Sequence, residues 1–141
     1  MAPTPKEPIW LVAQIVLAIH DDLLAQHGGL FGLRDQGLFE SALARPRHRW
    51  EYGEAEDLFD CAASYGFGIA KNHAFNDGNK RTAFQSMYTF LGLNGRDLEA
   101  NEVDAVAVMV GVADGSITEA RLADWLRGNS STPRRKRKVT T

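Results

Sequence analysis

Residues 73–81 read His-Ala-Phe-Asn-Asp-Gly-Asn-Lys-Arg, which places a base, a carboxylate, two amides, a glycine and two cations within nine positions. A fold has no need of those types side by side, whereas a loop that seats a phosphate chain and deprotonates a hydroxyl needs nearly all of them. His73 is the candidate base, because imidazole titrates near neutrality and a hydroxyl must shed its proton as it attacks phosphorus. Asp77 would repel a bare phosphate, so its presence argues for a magnesium ion between the two, held by one carboxylate, phosphate oxygens and water. Gly78 admits left-handed backbone, which lets successive amide hydrogens converge on an anion, and Lys80 and Arg81 add formal positive charge at the same spot. Asn76 and Asn79 are candidate phosphate ligands as well, Asn79 being equally suited to cap the helix that follows. Phe75 reads as an apolar anchor. Taken singly, each residue has a structural explanation, since a histidine at a helix end or an Asn-Asp-Gly turn before Lys-Arg is often only a solvated helix start. Their continuity makes the segment a phosphate site.

Such a loop works only if rigid elements hold it, and the apolar spacing supplies helices on both sides. Pro8 suits a first helical position, and the stripe from Ile9 to Leu24 predicts a helix over 9–27, stopped by Gly28-Gly29. Asp35 can cap a second helix that carries Leu38, Phe39, Ala42 and Leu43 and ends near Pro46, because proline disfavours helical geometry in the residue before it. The stretch 46–54 lacks a helical period, and its Trp50 and Tyr52 suit an extended pair or an exposed loop. From 55 to 72 apolar residues recur at helical spacing with almost no charge, which predicts a central, buried helix ending at His73. Asn79 to Arg81 start the next, stopped at Asn94-Gly95, so that exposed amides at its N-terminus face back into the loop and attract anions. Asn101 caps a helix through Val103, Val106, Met109 and Val110 to Gly115, and Thr118 caps a last one to Gly128. The expected architecture is all-α with one small extended element, divided into an arm at 1–8, a domain at 9–128 and a basic, disordered tail at 129–141.

At 141 residues the chain is long enough for one domain with one core. Its 44% hydrophobic and 24% charged fractions are ordinary for a globular protein. No apolar run approaches the roughly 20 residues that span a bilayer. Residues 1–8 lack the pattern of a secretory signal, and the expectation is a cytoplasmic protein without a membrane partner. Cys61, the single cysteine, reads as a small core residue. The net charge of −2 is uneven, because residues 134–138 contribute +5 and leave −7 for the rest. A solvated tail is the plain reading of that run, with weak contact to nucleic acid as the alternative.

The nine residues resemble the signature of the Fic/Doc family, His-x-Phe-x-Asp/Glu-Gly/Ala-Asn-Gly/Lys-Arg, which lies between two central helices of an all-α fold. The similarity extends to Gly28-Gly29-Leu30, to Leu38-Phe39-Glu40-Ser41-Ala42-Leu43-Ala44-Arg45-Pro46 and to Phe90-Leu91-Gly92-Leu93-Asn94-Gly95, which look like segments of the Doc, or death-on-curing, toxins. It covers roughly residues 9–127. The resemblance implies a bundle of about six helices with a small extended flap. Most Fic proteins transfer the nucleotidyl part of ATP to a target hydroxyl, whereas the Doc branch is similar to a kinase that moves the terminal phosphate of ATP onto a threonine of translation elongation factor Tu and inhibits translation. Nucleotidyl-transferring members usually carry Gly where this chain has Lys80, and a second Arg where it has Phe84. Both departures favour the Doc branch, while Gly78 stands where the best-known Doc pattern has Ala. By this resemblance His73 deprotonates the threonine, Asp77 binds magnesium, and Asn79, Lys80 and Arg81 hold and neutralise the phosphates of ATP.

The stretch 46–54 occupies the place of the family's flap, so that Arg47, His48, Arg49 and Trp50 would align a target segment as an added strand, an exposed loop being the alternative. Many Fic proteins are restrained by a helix bearing Ser/Thr-x-x-x-Glu. No Ser or Thr of this chain has Glu four residues on. The resemblance to Doc therefore implies a separate small antitoxin seated in a groove of the toxin, for which Trp10, Ala13 and Leu17 are candidates if they are not simply core. Two other functions compete with a kinase: an adenylyltransferase of the Fic type, and a non-catalytic adaptor whose loop binds a partner's phosphates.

Overall fold

Two helices flank residues 73–78, and the rest of the chain is built around them. The structure is a computed structural model describing residues 6–132. Its elements are α1 Ala13–His27, α2 Gln36–Glu51, α3 Leu58–Asn72, α4 Asn79–Leu93, β1 Asp97–Leu98, α5 Glu102–Asp114, α6 Glu119–Gly128 and β2 Ser130–Ser131. The expected six-helix architecture is what the structure contains. Helix α3 is the central one, buried at Cys61, Ala62, Ala63, Ser64, Tyr65, Gly66, Gly68, Ile69 and Ala70 and packed against α2, α4, α5 and α6. A helix apolar on every side has to be enclosed, and the small residues of α3 let its neighbours come close. A Cβ on Gly68 would lie 3.3 Å from the backbone of Ala42 in α2, and one on Gly66 would overlap the side chain of Met87 in α4. Cys61 is fully buried in this core, and burial pushes its thiol up to about 12.

Local capping sets the helix starts where the sequence places them. Asp35 accepts from the Leu38 N–H at 2.9 Å, Asn101 from the Asp104 N–H at 2.8 Å and Thr118 from the Arg121 N–H at 3.2 Å. Gly28 closes α1 with φ 77°, its N–H donating to Leu24 O. Among the described residues, no helix is long and apolar enough to cross a membrane.

Three expectations need correction. Residues 9–12 are not helical, and Pro8 does not start α1. Side chains remote in sequence hold this segment extended: Asn94 accepts from the Ile9 N–H at 2.8 Å and donates to Ile9 O at 3.0 Å, while the Tyr65 hydroxyl accepts from the Leu11 N–H at 3.0 Å. Secondly, α2 does not end near Pro46 but runs through it to Glu51, so residues 46–51 form no extended flap. A proline inside an isolated helix costs about 3 kcal/mol. Here Pro46 is buried, and the turns on either side of it are tied to other elements. Arg45 makes a two-pronged ion pair with Glu119 of α6, Arg49 donates to the Ser64 hydroxyl of α3, and Trp50 meets Trp10 edge to face at 6.4 Å. The helix expected between Asn101 and Gly115 is α5, which buries Val108, Met109 and Val112 and leaves Val103, Val106 and Val110 exposed. Thirdly, Ser130 and Ser131 pair antiparallel with Leu98 and Asp97, so residues 129–132 belong to the fold and not to a tail. The basic run 134–138 lies outside the described residues.

Candidate active site

The peptide chain leaves α3 at His73, the only described non-glycine residue with positive φ (49°). Such a conformation is uncommon outside glycine and needs a reason. Arg34 supplies one, its Nε donating to His73 O at 2.8 Å and a terminal nitrogen to Asn72 O at 3.3 Å. The guanidinium thus satisfies the last carbonyls of α3 and places positive charge at its negative end. The His73 side chain is exposed, and its ring has no hydrogen-bond partner among the described residues.

Beyond His73 the chain turns inward and is fastened. Phe75 is buried at 2% exposure and meets Phe39 edge to face at 5.4 Å, as expected of an anchor. Asn79, also buried, spends its whole side chain on that residue, Oδ1 accepting from the Phe75 N–H at 3.1 Å and Nδ2 donating to Phe75 O at 3.0 Å. Asn76 likewise donates from Nδ2 to Phe31 O at 3.1 Å and to Gly32 O at 3.3 Å. Both amides were expected on a phosphate, and Asn79 alternatively as a helix cap. The helix-cap role is not what the structure contains, because α4 is capped by Gly78 with φ 76° and no side-chain bond, and here the two side chains stitch the loop. A backbone amide binding to the loop from a distant segment was not legible in the spacing.

The distant segment is 28–35, which lies along the loop. Leu33 bridges Phe75 in antiparallel fashion, the N–H groups of Arg34 and Asp35 donate to Ala74 O at 2.7 and 3.1 Å, and Asn76 N–H donates to Gly32 O at 3.2 Å. The Leu30 N–H donates to Asp77 Oδ2 at 2.7 Å, which aims the carboxylate and leaves Oδ1 without a hydrogen bond among the described residues. Leu30 and Phe31 themselves stay exposed, at 64% and 56%.

The first turn of α4 presents the N–H groups of Asn79, Lys80 and Arg81, which precede the first intrahelical bond from Thr82 N–H to Gly78 O at 2.9 Å. Lys80 and Arg81 are exposed and, among the described residues, have no ion pair. They line a groove of about 640 Å³ together with Leu23 and His27 of α1, Phe84 of α4 and Val106 and Val110 of α5. The exposed valines of α5 thus form one wall of a groove that begins at the cations. Among the described residues, no group of three His, Cys, Asp or Glu could hold a metal by itself. One free carboxylate oxygen beside orphan amides and two cations fits an ion that takes the rest of its shell from phosphate and water.

The candidates fall into two sets. His73, Asp77, Lys80 and Arg81 offer exposed groups in one tightly fastened loop, whereas Asn79 spends its whole side chain and Asn76 its amide nitrogen on fastening it, and Gly78 provides the turn. Arg47, His48, Arg49 and Trp50 lie on α2. Arg49 is engaged by Ser64, Glu54 and Glu119, and Trp50 packs on the core. Trp10, Ala13 and Leu17 pack against the core as well. The residues missed by sequence reasoning are Arg34 and His20, the latter buried on α1 beneath the loop. A polar residue at the middle of the buried series Val16, His20, Leu24 was the available signal for it.

Comparison with known proteins follows the same residues. The profile of the Fic/DOC family matches residues 10–91. "Protein kinase doc" of Escherichia phage P1 is 38% identical over 112 residues, 79% of this chain and 88% of that protein. "Toxin Doc" of Mycolicibacterium smegmatis is 44% identical over 75 residues, 52% of this chain and 58% of that protein.

Proposed function

The chain belongs to the Fic/Doc family, and on that premise we propose that it is a Doc-type toxin kinase that moves the γ-phosphate of ATP onto a threonine hydroxyl of elongation factor Tu. The observation that carries the reading is the fastened loop itself, in which the exposed base His73, the carboxylate Asp77 and the cations Lys80 and Arg81 are the groups left free for chemistry. In this reading a His73 ring nitrogen takes the proton of the target hydroxyl as its oxygen bonds to the γ-phosphorus. The bond from that phosphorus to the bridging oxygen breaks, and ADP leaves. Lys80, Arg81 and the amides of the first turn of α4 bind the phosphate oxygens and offset their charge. Asp77 Oδ1 would hold magnesium, which when bound would help to neutralise the phosphate charge.

Two further parts of the proposal follow from placement. The target segment lies beside residues 28–34, whose backbone abuts the loop, in preference to 46–54, most of which is the end of helix α2. An antitoxin segment with an apolar face and acidic residues would fit the groove between α1, α4 and α5, where Leu23, Phe84, Val106 and Val110 meet Lys80 and Arg81. Action on elongation factor Tu makes the cytoplasm the site of function.

The kinase is tested by incubating the purified protein with elongation factor Tu and ATP and weighing the product. A gain of about 80 Da that disappears in His73→Ala supports the proposal, and a gain of about 329 Da would replace it with adenylyl transfer. An unmodified factor, with toxicity in cells unaffected by His73→Ala, would leave a phosphate-binding adaptor.

A further inference from the structure

His20 lies on the buried face of α1 at 1% exposure, one helical turn from Val16 and from Leu24. Its ring stacks on Phe75 with centroids 3.7 Å apart and planes 11° from parallel. Nε2 is 2.8 Å from the carbonyl oxygen of Asp77. A carbonyl only accepts, so Nε2 carries the proton and donates it. The edge of the same ring lines the turn that follows, where a Cβ on Gly78 would come 3.6 Å from His20 Cδ2 and 3.3 Å from Leu24 Cδ2. One imidazole therefore packs on the anchor of the loop, bonds the backbone of its carboxylate residue and limits the space at its left-handed glycine. Among the described residues, the only acidic atom near Nδ1 is Asp21 Oδ1 at 3.8 Å, too far for a hydrogen bond.

We propose that His20 is a positioning residue of the site, whose Nε2–H fixes the Asp77–Gly78 peptide and thereby aims both the Asp77 carboxylate and the N-terminus of α4. A residue needed only for volume at this place would be apolar, as Val16 and Leu24 are. The ring instead spends its donor on the one carbonyl that sits between the carboxylate and the helix start. Removing the donor of that part-buried carbonyl removes a constraint comparable with about a tenfold change in an equilibrium, about what such a lost bond is worth. The consequence for phosphate transfer rests on the function proposed above, but the contact and its effect on the loop do not.

Two variants separate the donor from the bulk. His20→Phe keeps a ring to stack on Phe75 and loses the donor, whereas His20→Gln places an amide N–H where Nε2 stands. Nitrogen-15 spectra of the wild type should show the imidazole protonated at Nε2, and a proton on Nδ1 alone would overturn the proposal. In His20→Phe, amide exchange at Phe75 and Thr82, whose N–H groups bond across the turn, should quicken about tenfold or more. His20→Gln should stay within about threefold of the wild type. Phosphate transfer with ATP and magnesium should follow the same order at matched melting temperature. Equal exchange in His20→Phe and the wild type, or equal impairment of both variants, would overturn the assignment. If the exchange order holds while even the wild type transfers no phosphate, the positioning role stands and the kinase reading falls. Should His20→Phe fail to fold, the protonated nitrogen of the wild type and the exchange rates of His20→Gln decide.

Discussion

Replacing Asn79 with alanine should damage the loop before it damages nucleotide binding. The side chain makes two hydrogen bonds to the backbone of Phe75, at 3.1 and 3.0 Å, in a setting only 9% exposed. Truncation strands one buried N–H and one buried C=O, at about 1–3 kcal/mol each. Water entering the space left by the amide recovers part of that cost. Alanine also forms helix better than asparagine by about 0.6 kcal/mol, which offsets a little at this first position of α4. The net loss comes to about 2–4 kcal/mol. For a chain of this size each kcal/mol lowers the melting temperature by about 3 °C, so the midpoint should fall by about 6–12 °C. Thermal unfolding by circular dichroism reads that shift, and hydrogen exchange locates it, since the amide of Phe75 should lose its protection first. A phosphate ligand would behave in the opposite way. An Asn79→Ala protein with an unchanged midpoint and a protected Phe75 amide, but weakened binding of ATP, would refute the assignment of Asn79 to the fold of the loop.

Asp77→Asn keeps an oxygen to accept the Leu30 N–H, so the midpoint should move by no more than about 2 °C, while the loss of the metal-binding charge should lower magnesium-dependent phosphate transfer at least about a hundredfold; titration of activity with magnesium checks both. Gly66→Ala forces a methyl group into the Met87 side chain between α3 and α4 and should cost about 1–3 kcal/mol in urea unfolding, less about 1 kcal/mol gained in helix propensity. Burial alone would raise the Asp57 carboxyl, but hydrogen bonds from Arg127 and the Asp60 N–H bring it below its ordinary value of 3.8. A lowered folded-state value gives stability that is present above the ordinary value and lost as the pH falls through the folded one, so acid unfolding should steepen below about pH 4 and flatten in Arg127→Ala.

The parts of the fold that could be read in the sequence are those decided within a turn or two of chain. Asp35, Asn101 and Thr118 bond to an N–H three residues ahead, and Gly28 ends its helix with its own backbone. What could not be read depends on partners tens of residues away. Asn94 and Tyr65 hold residues 9–11 extended, and Glu119 and Ser64 hold α2 together across Pro46, although local propensity points the other way in both places. The site divides in the same manner. The residue types of the loop point to phosphate chemistry, but which atoms are free for it depends on segment 28–35, whose carbonyls take the amide of Asn76 and whose Leu30 N–H takes one oxygen of Asp77.

That division bears on how the nine residues should be understood. Phe75, Asn76, Gly78 and Asn79 give the loop its shape, with His20 and Arg34 bracing it from outside, and they would be needed whichever part of a nucleotide is transferred. In the proposed mechanism the exposed His73, Asp77, Lys80 and Arg81 carry the chemistry, yet base, metal ligand and cations are common to phosphate and nucleotidyl transfer. The distinction must then lie in how the nucleotide is oriented against the first turns of α4, where Lys80 points into the groove and Phe84, one turn on, meets Trp125 edge to face at 6.5 Å. An apolar side chain packed there offers no clamp for outer phosphates, and that is the physical ground for reading the groove as built for the kinase orientation.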